Sequence, residues 1–257
     1  MTRPGRAGAG LLAVAVLAAL AACSGGDGNG ASNAGATRTE PSGTTVPTTT
    51  PSTAPPVTTT LAPVPTTTPT FAASVAPVTT AELGASWHDG CPVGADQLRR
   101  VTVSYWGFDG TAKTGSLVVD VDAVDAVRSV FQKLFDQRFP IRRMDPIDTF
   151  AGSDDASMAA DNTSAFNCRL AVAAGPPQWS VHSFGRAIDV NPVENPYVLG
   201  SDVLPPAGTA YVDRATVRPG MAVTGGPLVE AFAAVGWPWG GRWSGSPDYQ
   251  HFSANGG

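Results

Sequence analysis

Two short stretches carry two of the chain's three histidines beside carboxylates. The first is Ser180-Val181-His182-Ser183-Phe184-Gly185-Arg186-Ala187-Ile188-Asp189. Gly185 permits a tight turn, after which an extended segment would return Asp189 toward His182. An imidazole and a carboxylate so placed are two of the three protein ligands that a catalytic zinc requires. The second stretch is Asp248-Tyr249-Gln250-His251-Phe252. Its three-residue spacing sets Asp248 and His251 on one side of a helical or 3₁₀ turn. His251 would complete the metal site, and Asp248 would hold the attacking water. Spacing alone leaves a second reading open, in which both histidines are simply packed or solvated.

Something must hold these stretches in place. Val101 to Trp106 alternates like a strand, Asp109-Gly110 signals a hairpin, and Leu117 to Val119 is the expected return strand. Val121 to Phe139 reads helical, with Val124, Val127, Phe131, Leu134 and Phe135 on one face and Pro140 as the stop. A second helix is expected from Pro227 to Val235, with Gly236 at its end. Ala187 to Val190 reads as a short strand, and residues 200–225, which lack periodicity, as a surface excursion. Together these predict an α+β fold: a small antiparallel sheet with flanking helices and a zinc cleft.

The chain has 257 residues and a net charge of −5, and 14% of its residues are charged, against roughly 25% for an ordinary soluble domain. An acidic chain is a poor nucleic-acid binder. Three cysteines exclude a disulfide-rich scaffold and a four-cysteine zinc site. Much of the charge deficit lies at the N-terminus. Arg3 and Arg6 precede an apolar run from Leu11 to Ala22, too short to span a bilayer. The run ends Leu20-Ala21-Ala22-Cys23, which resembles a bacterial lipobox. That resemblance implies a signal over residues 1–22, lipidation of Cys23, and an extracytoplasmic, membrane-anchored protein. Residues 24–80 hold only Asp27, Arg38 and Glu40 as charges, with nine prolines from Pro41 to Pro77. So little apolar area cannot offset chain ordering, so residues 23–80 are expected to be a tether and 81–257 the folded domain.

The full pattern is more specific than its parts. Ser180-x-His182-x-x-Gly185-x-Ala187-x-Asp189, then Gly236-Trp237-x-Trp239-Gly240-Gly241, then Asp248-x-x-His251-Phe252 resembles the bacterial zinc D-alanyl-D-alanine carboxypeptidases (VanY-type). The related L-alanyl-D-glutamate endopeptidases of phage lysins share it. The resemblance covers roughly residues 90–253. It implies that His182, Asp189 and His251 bind zinc, that Asp248 is the acid/base, and that peptidoglycan stem peptides are the substrate. It also implies an upstream arginine for the oxyanion: Arg169 is the first choice and Arg143 the second. Ser180 is implied as a substrate hydrogen-bond donor. Trp239, with Trp237 and Trp243, reads either as the wall of a substrate groove or as core or rim packing.

The other candidates read differently. His88 sits in a polar turn, and Asp154, Asp155 and Asp161 read as a solvated acidic loop, with a cation-binding loop as the alternative. With Cys23 lipidated, Cys91 and Cys168 remain in an oxidising compartment, where a disulfide is favoured over two free thiols. The expected protein is a monomer whose partners are stem peptides and, through its lipid, the membrane. Removal of the terminal alanine is the leading activity. Cleavage within the stem and a non-catalytic wall-binding lipoprotein remain as alternatives.

Overall fold

The computed structural model describes residues 68–172 and 176–256. The signal, Cys23 and the tether up to residue 67 lie outside the described residues.

The fold begins earlier than residue 81. Phe71 packs on Phe135, with ring centroids 5.8 Å apart. Ala73–Pro77 (β1) then pairs antiparallel with the next strand. Pro77 sits at the end of this edge strand, where a missing N–H breaks no ladder. Thr79 caps Thr80–Leu83 (α1) in a reciprocal box with Glu82, which satisfies two helix-end donors. The expected boundary at residue 80 is corrected by these contacts: strand pairing and a cap order a segment whose composition resembles the tether.

Leu98–Trp106 (β2) and Ala112–Asp120 (β3) form the expected hairpin, and the sheet order is β1-β2-β3. Val124–Asp136 (α2) follows a 3₁₀ turn over Val121–Ala123. It stops short of Phe139 because Arg138 turns into the left-handed region at φ 54°. Val127, Val130, Phe131 and Leu134 of α2 meet Val101, Val103, Leu117 and Val119 of the sheet in one buried core.

Arg143–Met144 (β4) pairs in parallel with Asn162–Thr163 (β5), and Asp154–Ala159 (α3) lies between them in the chain. Ala187–Asp189 (β6) pairs antiparallel with His251–Ser253 (β9). Tyr197–Leu199 (β7) and Asp202–Leu204 (β8) make a second hairpin. Pro227–Ala233 (α4), with proline in its first turn, lays Phe232 flat on Phe252 of β9 at 4.1 Å. Packing that begins in α2 therefore passes through α4 to the strand bearing His251.

Residues 200–225 are more than a surface excursion. Arg214 donates to Glu194 O at 2.7 Å and Asn195 Oδ1 at 2.8 Å, and Met221 and Ala222 are buried. The guanidinium also lies 4.5 Å over the Tyr249 ring. One arginine thus fastens an aperiodic segment that periodicity cannot detect.

Candidate metal centre

The β6–β9 ladder sets Asp189 directly opposite His251. His182 enters from a 3₁₀ turn, Val181–Phe184. Ser180 caps that turn by accepting from the His182 N–H at 3.3 Å, and Gly185 ends it at φ 66°. A side chain there would strain the left-handed backbone and strike Asp120 N, 2.5 Å from the Cβ position.

The three side chains converge. His182 Nε2 lies 3.1 Å from Asp189 Oδ2, His251 Nδ1 lies 3.1 Å from Asp189 Oδ1, and the two ring nitrogens are 3.2 Å apart. All three residues are buried, at 3%, 5% and 5% exposed. His182 Nδ1 donates to Ala165 O at 2.6 Å, which leaves a lone pair on Nε2 of the neutral ring. A cation shared among these ring nitrogens and the carboxylate would satisfy all three buried groups at once. The donor set, two imidazoles and a carboxylate, fits a divalent transition metal, and the Ala165 carbonyl supplies the outer hydrogen bond that fixes a metal-binding tautomer.

The three groups also set one another's charge. Burial pushes the Asp189 carboxyl up, but His182 and His251 beside it hold it well below the usual carboxylate range. Burial pushes the His182 ring down, and Asp189 more than reverses this, leaving it raised.

Asp248 is 8% exposed and lines the same cavity. Its Oδ1 is buried with no hydrogen-bond partner. Burial, then the charge of Asp189, raises its carboxyl to about 7, so it can exchange a proton near neutral pH. The turn carrying it is seated against Gly240: a Cβ there would lie 2.8 Å from Asp248 O and 3.2 Å from His251 Cβ. The Trp-Gly-Gly stretch is thereby explained as a close approach of backbone to the site.

The cavity is about 500 Å³. Arg169 lines it, and its charge acts on both His182 and Asp248. Ser183 Oγ donates to Arg169 O at 2.7 Å and accepts from its N–H at 2.9 Å, tying this residue to the His182 turn. Ser180 lines the cavity as well as capping the turn.

Arg143 and Trp239 are not brought to the cavity. Arg143, in β4, is ion-paired with Asp145 and stacks 4.9 Å over Phe150. Trp239 is a core residue whose Nε1 donates to Tyr249 O at 2.8 Å. Trp243 forms the wall instead, 5.1 Å from the His251 ring. Sequence reasoning missed Tyr197 and Leu204, which the β7–β8 hairpin delivers to the cavity, and Gln250, 2% exposed. It also misplaced two acids. Asp154 opens α3 and pairs with Arg169 at 2.8 Å, and Asp161 is buried and paired with Arg142. The Ser153 cap preceding an acidic pair was the available signal for that helix.

Cys91 and Cys168 are disulfide-bonded across 77 residues, as expected. His88 lies beside this pair, but bonded sulfurs are not thiolate ligands.

Residues 174–254 match the family described as D-alanyl-D-alanine carboxypeptidase. The match spans Ser180, His182, Asp189, Asp248 and His251 but not Arg169 or Asp154. It supports a metal-dependent peptidase of the peptidoglycan-acting kind. No curated protein and no solved structure matches the chain.

Proposed function

We propose that this protein is a zinc peptidase that hydrolyses peptide bonds in peptidoglycan stem peptides outside the cytoplasm. The observation that carries the reading is the buried convergence of His182, Asp189 and His251 beside Asp248 in one cavity. In this reading the three residues hold zinc, which supplies Lewis acidity to water and to the substrate carbonyl.

The chain's own residues do the rest. Asp248 takes the proton of the attacking water and returns it to the leaving amine nitrogen. Its burial serves this by raising the carboxyl toward neutral pH. Arg169 directs positive charge to the carbonyl oxygen as that oxygen becomes negative. Ser180 fixes His182 and offers its hydroxyl at the cavity wall. Trp243 and Leu204 exclude water around the reacting bond.

Two cleavages suit this chemistry. Removal of a terminal D-alanine is the activity that the matched family's description names. Cleavage within the stem, as between L-alanine and D-glutamate, is favoured by one observation: the arginine of the cavity already has a carboxylate partner. Upstream, a lipid on Cys23 and the tether would hold the domain at the membrane, facing the wall, with the protein acting as a monomer. Among the described residues no helix is long and apolar enough to cross a membrane.

The test is digestion of purified muropeptides by the full chain, read by mass spectrometry with and without chelator. Zinc-restored cleavage is expected, abolished in Asp248→Ala. Loss of one alanine would identify the carboxypeptidase, and release of the stem the endopeptidase. The absence of any chelator-sensitive cleavage would overturn the peptidase reading.

A further inference from the structure

The cleft has a charge pattern that the proposed reaction does not explain. Beyond the metal centre its walls are largely apolar, with Met158, Val172, Trp179, Tyr197, Leu204 and Trp243. Apart from Asp189 and Asp248 at the proposed metal site, its charged lining among the described residues is Asp154, Asp155 and one permanent cation, Arg169. Every described contact of that cation is internal. Nη2 meets Asp154 Oδ2 at 2.8 Å, and Nη1 donates to Leu170 O at 3.3 Å. Both partners of the pair are largely shielded, with side chains 24% and 21% exposed. Screening by water and salt is weaker there than on an open surface.

A peptide ending at the reacting residue brings a free carboxylate into this space. That carboxylate would meet the charges of Asp154 and Asp155, and it would have to compete with Asp154 for Arg169. A peptide that continues past the scissile bond brings a neutral amide instead, and the apolar walls accept its side chains without such a cost.

We propose that Asp154 is a specificity-determining residue: by holding Arg169 it withholds the cleft's cation from a terminal carboxylate, and so directs the site to bonds inside a peptide chain. The inference rests on the peptidase reading above and decides between its two cleavages. Asp155 supplies an internal control. It lines the same cavity from the same helix and has no ion-pair partner among the described residues.

The experiment compares one stem peptide in two forms, with a free terminal carboxylate and with that carboxylate converted to the carboxamide. Full-length, zinc-loaded protein is assayed for kcat/KM and for the bond cut. Calorimetry on the Asp248→Ala protein measures binding of both peptides without turnover. Wild type should prefer the carboxamide by about tenfold, the value of one charge-assisted contact. Asp154→Asn should collapse that preference by improving the free acid, chiefly through KM and Kd, and Asp155→Asn should leave it in place. Equal or better use of the free acid by wild type would overturn the inference, as would an unchanged ratio in Asp154→Asn. Equal effects of the two substitutions would also overturn it, reducing the effect to general charge. Should Asp154→Asn not fold, judged by near-UV circular dichroism, the wild-type ratio alone decides. Selective carboxamide binding without cleavage of either peptide would leave Asp154's role standing and sink the peptidase reading; no binding and no cleavage would sink both.

Discussion

At the scale of single residues, the proposed reading separates groups that would hold a cation from the group that would move a proton. His182, Asp189 and His251 point polar atoms at one another within 3.1–3.2 Å, an arrangement that a shared cation would satisfy. Asp248 stands beside them with one oxygen unpartnered. The two kinds of residue should therefore fail differently. His251→Ala should lose stoichiometric zinc, measured by elemental analysis of the dialysed protein. Asp248→Ala should keep its zinc and its thermal transition while kcat falls by about 10²–10⁴-fold, the usual contribution of a positioned acid/base. Loss of zinc in Asp248→Ala would move that residue into the metal shell and leave the proton without a carrier.

At the scale of elements, positioning depends on small features of backbone. Ser180 caps the His182 turn, so Ser180→Ala should cost about 1 kcal/mol in denaturant unfolding and lower zinc affinity by loosening His182. Gly240 lets the Asp248–His251 turn approach to within contact distance. Gly240→Ala should cost about 1–3 kcal/mol by overpacking, together with a zinc loss that an equally destabilising core substitution elsewhere does not cause. The second comparison matters because stability alone would fall in both. This glycine and the capping serine are visible in the sequence, but their partners are not: Gly240 meets His251 through the bridge between Trp239 and Phe252 and through the Asp248 N–H, which donates to Gly240 O at 3.1 Å.

At the scale of the whole molecule, two ties join distant segments. The disulfide between Cys91 and Cys168 closes a 77-residue loop, and replacing both cysteines by serine should cost about 4 kcal/mol on the chain-entropy account, read as a fall in the unfolding midpoint. The second tie is Arg142, which joins Asp161 and Glu194 at 3.2 and 3.1 Å. Burial, then the neighbouring Asp161, raises Glu194 from 4.5 to about 7, against the pull of Arg142. The folded chain therefore holds this proton more tightly than the unfolded chain does. Its contribution to stability is fully present below about pH 4.5 and is lost as pH rises to about 7. Glu194→Gln, which stays neutral, should match wild type near pH 4.5 and melt higher at pH 8. A variant no more stable than wild type at pH 8 would show that Arg142 keeps Glu194 ionised throughout.

The sequence by itself picked out the proposed metal ligands and the proposed acid/base, and it determined the hairpin-plus-helix frame, because each is written in local order. Two ligands and a glycine turn occupy eight consecutive residues, the acid/base and third ligand occupy four, and α2 and the β2–β3 hairpin follow from hydrophobic period and turn chemistry. Tertiary structure decided what depends on distant partners. Arg169 and Arg143 are the same residue type upstream of the same motif, yet one reaches the cavity through Ser183 and the other is held outside by Asp145 and Phe150. Trp239 and Trp243 lie four residues apart, and the neighbouring Tyr249 carbonyl draws one into the core while the other walls the site. The pairing of Asp154 with Arg169 joins residues with no shared period or motif. A local pattern can name a ligand, whereas the use of a charge depends on which opposite charge the fold sets beside it, and that is settled only when the chain closes.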